Sequence, residues 1–209
     1  MKDIKVRLTF TEEVLATSTN DAEAFDEYIA SMSPDQASHD EEVAAISTES
    51  NGDARMTVFP RDKDGKPFIY NYQIKGFFKD SCSMLSRIGR KAGDDSRKKN
   101  PVNESSKLTA HKKVIDGLIF VEPRQIPFVY DGDVGMCQRP LRAQTTQGER
   151  VALSVSETVP AGAALELKIT MLDPAHEAAV REWLDYGRLR GLAQWRNSGK
   201  GTFVWEEIA

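Results

Sequence analysis

The chain has 209 residues, 40% of them hydrophobic and 29% charged, with a formal net charge of −4 and nine Phe. That balance excludes wholesale disorder, and the longest apolar runs fall far short of the about 20 residues that a membrane helix needs. Cys82 and Cys137 are too few for a disulfide scaffold or a four-thiolate metal site, and no apolar signal core follows Met1, so a soluble, cytoplasmic protein with no membrane contact is expected.

Ile4, Val6, Leu8 and Phe10 alternate with Lys5, Arg7 and Thr9, the period of a half-buried strand. Residues 17–54 form a polar, acidic insertion. Within it, Asn20-Asp21-Ala22-Glu23 and Ser38-His39-Asp40-Glu41 resemble capping boxes and predict two short surface helices, near 21–31 and 38–46. Arg55 to Phe59 and Pro67 to Tyr72 read as extended runs on either side of Asp64-Gly65, which predicts a hairpin. Ile74, Phe77, Phe78, Leu85 and Ile88 recur at helical spacing and predict a helix over about 73–88. Residues 89–113, rich in Gly, Ser and Lys, read as a long loop or finger.

Gly117 to Val121 and Ile126 to Tyr130 read as short strands. A polar stretch, 137–149, follows, and then two alternating runs, Val151 to Val155 and Leu165 to Met171, separated by the turn Pro160-Ala161-Gly162. Asp173-Pro174 opens a helix whose buried face is Ala179, Val180, Trp183 and Leu184. A glycine-containing loop leads to a last strand, Thr202 to Glu206. Strand, helix, strands, then strand, helix, strand is the order of an α+β, ferredoxin-like (RRM-like) antiparallel sheet with helices on one face and long insertions.

Charge divides the chain. Residues 1–60 hold four basic residues against thirteen acidic ones, whereas residues 61–124 hold fifteen against eight. Such asymmetry points to different partners for the two segments, and a groove needs only local positive charge to take nucleic acid.

Three segments carry a family resemblance: the first strand running into Thr11-Glu12-Glu13-Val14-Leu15; Tyr72-Gln73-Ile74-Lys75-Gly76-Phe77-Phe78-Lys79-Asp80; and Pro160-Ala161-Gly162 through to Gly191-Leu192-Ala193-Gln194-Trp195-Arg196-Asn197-Ser198-Gly199-Lys200-Gly201. The second resembles the "PGSSLKGALR" segment of the RAMP superfamily, the CRISPR effector backbone and RNA-processing proteins. The third is similar to its closing "LGGxRSRGxGR" segment, with Ala193-Gln194 in place of the frequent glycine pair. The resemblance frames nearly the whole chain, so one domain over 1–209 is expected. It implies single-stranded RNA along the sheet and glycine loop, and side-by-side assembly with further copies or other effector subunits.

The candidate nucleic-acid contacts fall in four groups. Arg87, Arg90, Lys91, Arg97, Lys98, Lys99, Lys112 and Lys113 crowd the basic finger, where counterion release favours phosphate. Lys75 and Lys79 lie one turn apart at the start of a helix. Trp195, Arg196 and Lys200 sit in the glycine loop, where Trp195 can stack a base or fill the core. Arg142, with Arg139 and Arg150, flanks a polar stretch that reads as a clamping hairpin or an ordinary loop.

Catalytic signals are weak. His111, beside two lysines, is placed to act on a 2′-hydroxyl, and Asp21 is the nearest match to the aspartate with which some members of the superfamily cut RNA. No HExxH, P-loop, GxSxG or paired CxxC pattern is present, so no metal and no cofactor is expected. The reading is an RNA-holding subunit that does not cut. Its alternatives are a backbone look-alike that joins or jams a nucleoprotein complex through the acidic segment, and a metal-independent ribonuclease using His111.

Overall fold

A computed structural model of the chain describes residues 1–19, 56–88, 102–145 and 148–209, without the side chains of 19, 141–145 and 148–152. In chain order the elements are β1 (Lys2–Phe10), β2 (Val14–Leu15), β3 (Ser18–Thr19), β4 (Met56–Val58), β5 (Phe68–Tyr70), α1 (Asn71–Leu85), α2 (Glu104–Lys107) and α3 (His111–Leu118). They continue as β6 (Ile119–Glu122), β7 (Gln125–Val129), β8 (Gly135–Thr145), β9 (Gly148–Val159), β10 (Ala164–Met171), α4 (Glu177–Arg190) and β11 (Phe203–Ile208).

The main sheet runs β11-β1-β10-β7-β5, with β6 also on β10, and every pairing in it is antiparallel. β6 and β7 act as one interrupted strand. Both lie along the same edge of β10, at Ile119↔Met171 and Phe128↔Leu165, with the intervening residues bulged out of register. Counted so, the order last, first, third, second is the ferredoxin-like arrangement, and the chain is α+β as its element order predicts.

The alternation of β1 sets the core. Ile4, Val6, Leu8 and Phe10 are at most 2% exposed, and the first three stand opposite Ile169, Leu167 and Leu165 of β10. α1 covers this face with Ile74, Phe77 and Phe78, and α4 with Ala179, Val180, Trp183 and Leu184. Each such side chain, fully buried, contributes about 1.5–3 kcal/mol before entropy is counted. Gly187 lets α4 close on β11, because a Cβ there would lie 2.1 Å from the Phe203 ring.

A second sheet is built on β9, which pairs with β8 along its whole length and with β2 and β4 at its far end. The β4–β9 pairing is parallel. Among the described residues, 148–154 pair with β8 alone, so the polar stretch around 143–148, read as a hairpin or an ordinary loop, adjoins a two-stranded ribbon. No described helix is long and apolar enough to cross a membrane.

Several expectations shift. Arg55 to Phe59 and Pro67 to Tyr72 do not form a hairpin with each other. β4 joins the second sheet and β5 the first, and a lone Arg61–Pro67 bridge closes the turn between them. The turn is held by Asp62, whose Oδ1 accepts from the N–H groups of Asp64 and Lys66. α1 begins at Asn71 and ends at Leu85, leaving Ile88 51% exposed. Of the expected finger, 104–107 and 111–113 are helical, and the expected strand from Gly117 starts at Ile119. Ser18 and Thr19, placed in the acidic insertion, are strand β3. The two expected helices near 21–31 and 38–46 lie outside the described residues.

Candidate nucleic-acid interface

The glycine loop begins where α4 stops. Gly191 takes φ 73° and Gly201 φ 70°, and the two backbones cross there. The Leu192 N–H donates to the Gly201 carbonyl at 2.8 Å, and the Gly201 N–H donates to the Glu13 carbonyl at 2.9 Å. A Cβ on Gly201 would fall 2.0 Å from the Leu192 oxygen, and one on Gly191 2.5 Å from the Lys200 oxygen. These glycines serve the crossing itself. Between them Ala193 (φ 68°) and Trp195 (φ 55°) also adopt the left-handed region, a conformation that side chains resist.

That backbone sets Trp195 at the surface, 39% exposed. The Arg139 guanidinium of β8 lies 5.1 Å from the centre of its ring, and Arg139 Nη2 donates to Gln194 Oε1 at 2.8 Å. The ribbon's base and the glycine loop therefore meet in one cation–aromatic ledge. A cavity of about 220 Å³ adjoins the loop, with Thr17, Gln73, Gly76, Asp80, Ala193 and Arg196 among its walls.

The α1 face of that cavity is ordered by Asp80. Arg190 Nε donates to Asp80 Oδ2 at 2.8 Å and Arg196 Nη1 to the same oxygen at 2.7 Å. Burial alone would raise the Asp80 carboxyl, but hydrogen bonds and charge from Arg190 and Arg196 outweigh it and hold it below its ordinary value. Asp80 also raises the Arg190 guanidinium, chiefly by accepting its hydrogen bond.

The sequence-selected cations separate into two kinds. Lys79 pairs with Asp116 of α3 at 2.6 Å. Lys75 donates to the Asp116 carbonyl at 3.1 Å and lies 5.3 Å from the Phe120 ring centre, and its burial, ahead of other causes, pulls its pKa down. Lys200 meets Glu13 at 2.9 Å and Glu12 at 3.3 Å, and the Glu13 hydrogen bond is the main reason its pKa rises. Arg196 belongs to Asp80. For all four, charge is met inside the chain.

Arg87, Lys112 and Lys113 are the other kind. They line a cleft of about 500 Å³ between the end of α1 and the start of α3, and among the described residues none has an ion-pair partner. His111 lines the same cleft, and burial, then the charge of Lys112, lowers its pKa. Arg90, Lys91, Arg97, Lys98, Lys99 and Asp21 lie outside the described residues, as does the side chain of Arg142, whose backbone pairs with Val151 in the ribbon.

The open face of the main sheet is charge-balanced. Arg7 of β1 pairs with the facing Glu166 of β10 at 2.7 Å, and Lys168 of β10 with the facing Glu122 of β6. Two organising residues, Asp80 and Arg190, were not singled out from the sequence. Asp80 offers one sequence signal, an acidic residue directly after Lys79 and beside the apolar stripe of the helix.

No protein-family model matches the chain, and no curated protein matches it. Among solved structures it is similar to a chain of the cryo-EM structure of the Type III-B Cmr-beta bound to cognate target RNA. The TM-score is 0.50 at 9% identity, over 99% of this chain and 58% of that one. The likeness is one of fold. This chain thus spans little more than half the length of the Cmr-beta chain it matches.

Proposed function

We propose that this chain is a single-stranded RNA-binding subunit of a CRISPR-effector-like nucleoprotein, one RAMP-like domain that holds RNA without cutting it and assembles with further copies or other subunits along the strand. The observation that carries this reading is the Arg139–Trp195 ledge. An exposed indole set by a left-handed backbone, with a guanidinium beside it, offers a base a face to stack on and a phosphate a charge to meet. The similarity in fold to a Cmr-beta chain solved with target RNA supports the same reading.

The test is size exclusion and ultraviolet absorbance of the purified protein before and after ribonuclease. A large species rich in 260 nm absorbance that collapses with ribonuclease is the expected result. A nucleic-acid-free species indifferent to nuclease, together with no affinity for oligouridine, overturns the reading.

A further inference from the structure

The cleft between α1 and α3 gathers Arg87, Lys112 and Lys113 on its walls. Lys75, Lys79, Arg190, Arg196 and Lys200 each have a carboxylate from this chain within 4.0 Å. Arg87, Lys112 and Lys113 face one cleft, and among the described residues no carboxylate lines it. Three like charges gathered without a counter-charge repel one another, and an anion removes that repulsion. Ser83, Ser86 and Thr109 bring hydroxyls to the same walls. His111 Nε2 is shielded from solvent and has no hydrogen-bond partner among the described residues. A buried polar atom left so is disfavoured unless a ligand or water meets it.

α1 runs from this cleft to the cavity beside the glycine loop, the loop that carries Trp195. Gln73, Gly76, Asp80 and Ser83 follow one another at spacings of three and four residues, so they lie along one face of the helix, with Arg87 in the turn after it. Gln73, Gly76 and Asp80 wall the cavity beside the glycine loop, and Ser83 and Arg87 wall the basic cleft. At a rise of 1.5 Å per residue the two are about 10–15 Å apart. That is a reach of a few nucleotides of extended strand.

We propose that the Arg87, Lys112 and Lys113 cleft binds a phosphate of the same RNA strand whose base stacks on Trp195, fixing that strand at two points along one face of α1. This rests on the RNA reading above and adds to it a place and a direction for the strand. The His111 ring, on the wall of the cleft, lies beside the phosphate in this arrangement.

The experiment uses the full chain, freed of nucleic acid, with fluorescent oligouridines of increasing length and with inorganic phosphate. For the wild type, affinity rises with length until the strand spans both points. R87Q/K112Q/K113Q loses that rise, binds the longer strands at least tenfold more weakly, and flattens the dependence of log affinity on log salt by about 0.7, the contribution of one phosphate neutralised. Bound strand also raises the pKa of His111, read from its ring proton, because a phosphate opposes the burial and the Lys112 charge that lower it. Thermal unfolding of the variant matched to wild type shows that the fold is kept.

Wild-type affinity and salt slope in R87Q/K112Q/K113Q, with binding lost in W195A, overturn the cleft and leave the RNA reading standing. No oligouridine binding at any length in the wild type removes both. A His111 shift with inorganic phosphate in that second case assigns the cleft to a free anion and likewise overturns the strand.

Discussion

Arg139 lies over Trp195, its guanidinium carbon 5.1 Å from the indole centre, and joins the base of the β8–β9 ribbon to the glycine loop. Neither residue is packed into the core, so truncating Trp195 removes a contact surface without opening a cavity. Base–aromatic stacking is worth about 1–3 kcal/mol. W195A therefore weakens oligouridine binding by about 5- to 150-fold in fluorescence anisotropy, with thermal stability little changed. R139A gives a smaller loss and a shallower salt dependence. Equal affinity in W195A and wild type would falsify the stacking role.

Glycines in one loop differ in what they do. Gly201→Ala drives a methyl group to 2.0 Å from the Leu192 oxygen at φ 70°, and Gly199→Ala meets open space at φ 81°. The first destabilises the protein by about 3 kcal/mol or more, the second by about 1 kcal/mol, the penalty of the left-handed region alone. Urea unfolding midpoints of the two variants test the order. A reversed order would mean that the backbones do not cross as described.

The Asp80 pairing predicts a pH window. Its carboxyl sits below its ordinary value in the fold, so the native state binds fewer protons there than the unfolded state. The stabilisation is fully present above the unfolded value, near 3.9, and fades as pH falls through the folded one. Asp80→Asn lowers stability by about 1–2 kcal/mol at pH 7, and the gap to wild type narrows below about pH 4. A gap independent of pH across that range assigns the loss to packing instead of charge.

Glu182 of α4 holds α2 in place. Its carboxylate accepts from the N–H groups of Glu104 at 3.1 Å and Ser105 at 2.8 Å and from the Ser105 hydroxyl, and that hydroxyl accepts from Trp183 Nε1 at 2.9 Å. Glu182→Gln keeps the shape and loses the charge-assisted bonds, costing about 2 kcal/mol. Hydrogen exchange at the Glu104 and Ser105 amides quickens accordingly, while exchange in β1 follows only global stability. Unaltered exchange at those two amides counts against the cap.

Burial separates the two thiols. Cys82 is fully buried on α1, and that burial pushes its thiol up to about 11, whereas Cys137 on β8 is partly exposed. A maleimide at neutral pH modifies Cys137 in the native protein and Cys82 only on unfolding. Native labelling of Cys82 at a comparable rate contradicts the packing of α1.

The frame was legible where apolar period and length agree. β1 and β10 each alternate over seven residues, and α1 and α4 carry apolar stripes over about four turns, so their type and order could be read directly. α3 was not legible: it buries only Ile115, its lysines read as loop, and Gly117 read as the start of a strand. The strand separation at Arg61–Pro67 was hidden because turn residues mark a reversal without naming the sheet each strand joins. At the site, residue type identified Trp195 and the cations. Which cations are already neutralised depends on Asp80, Asp116, Glu12 and Glu13, brought close only by the tertiary fold.

The crossing of Gly191 and Gly201 has a thermodynamic consequence. Backbone hydrogen bonds within the chain already fix that loop, and the two left-handed residues between its glycines are held by the same closure. The conformational freedom of the segment is therefore lost during folding and not at association. A molecule settling on the indole meets a surface whose ordering adds nothing unfavourable to its own free energy, and its heat-capacity change on docking reflects buried apolar area rather than loop folding.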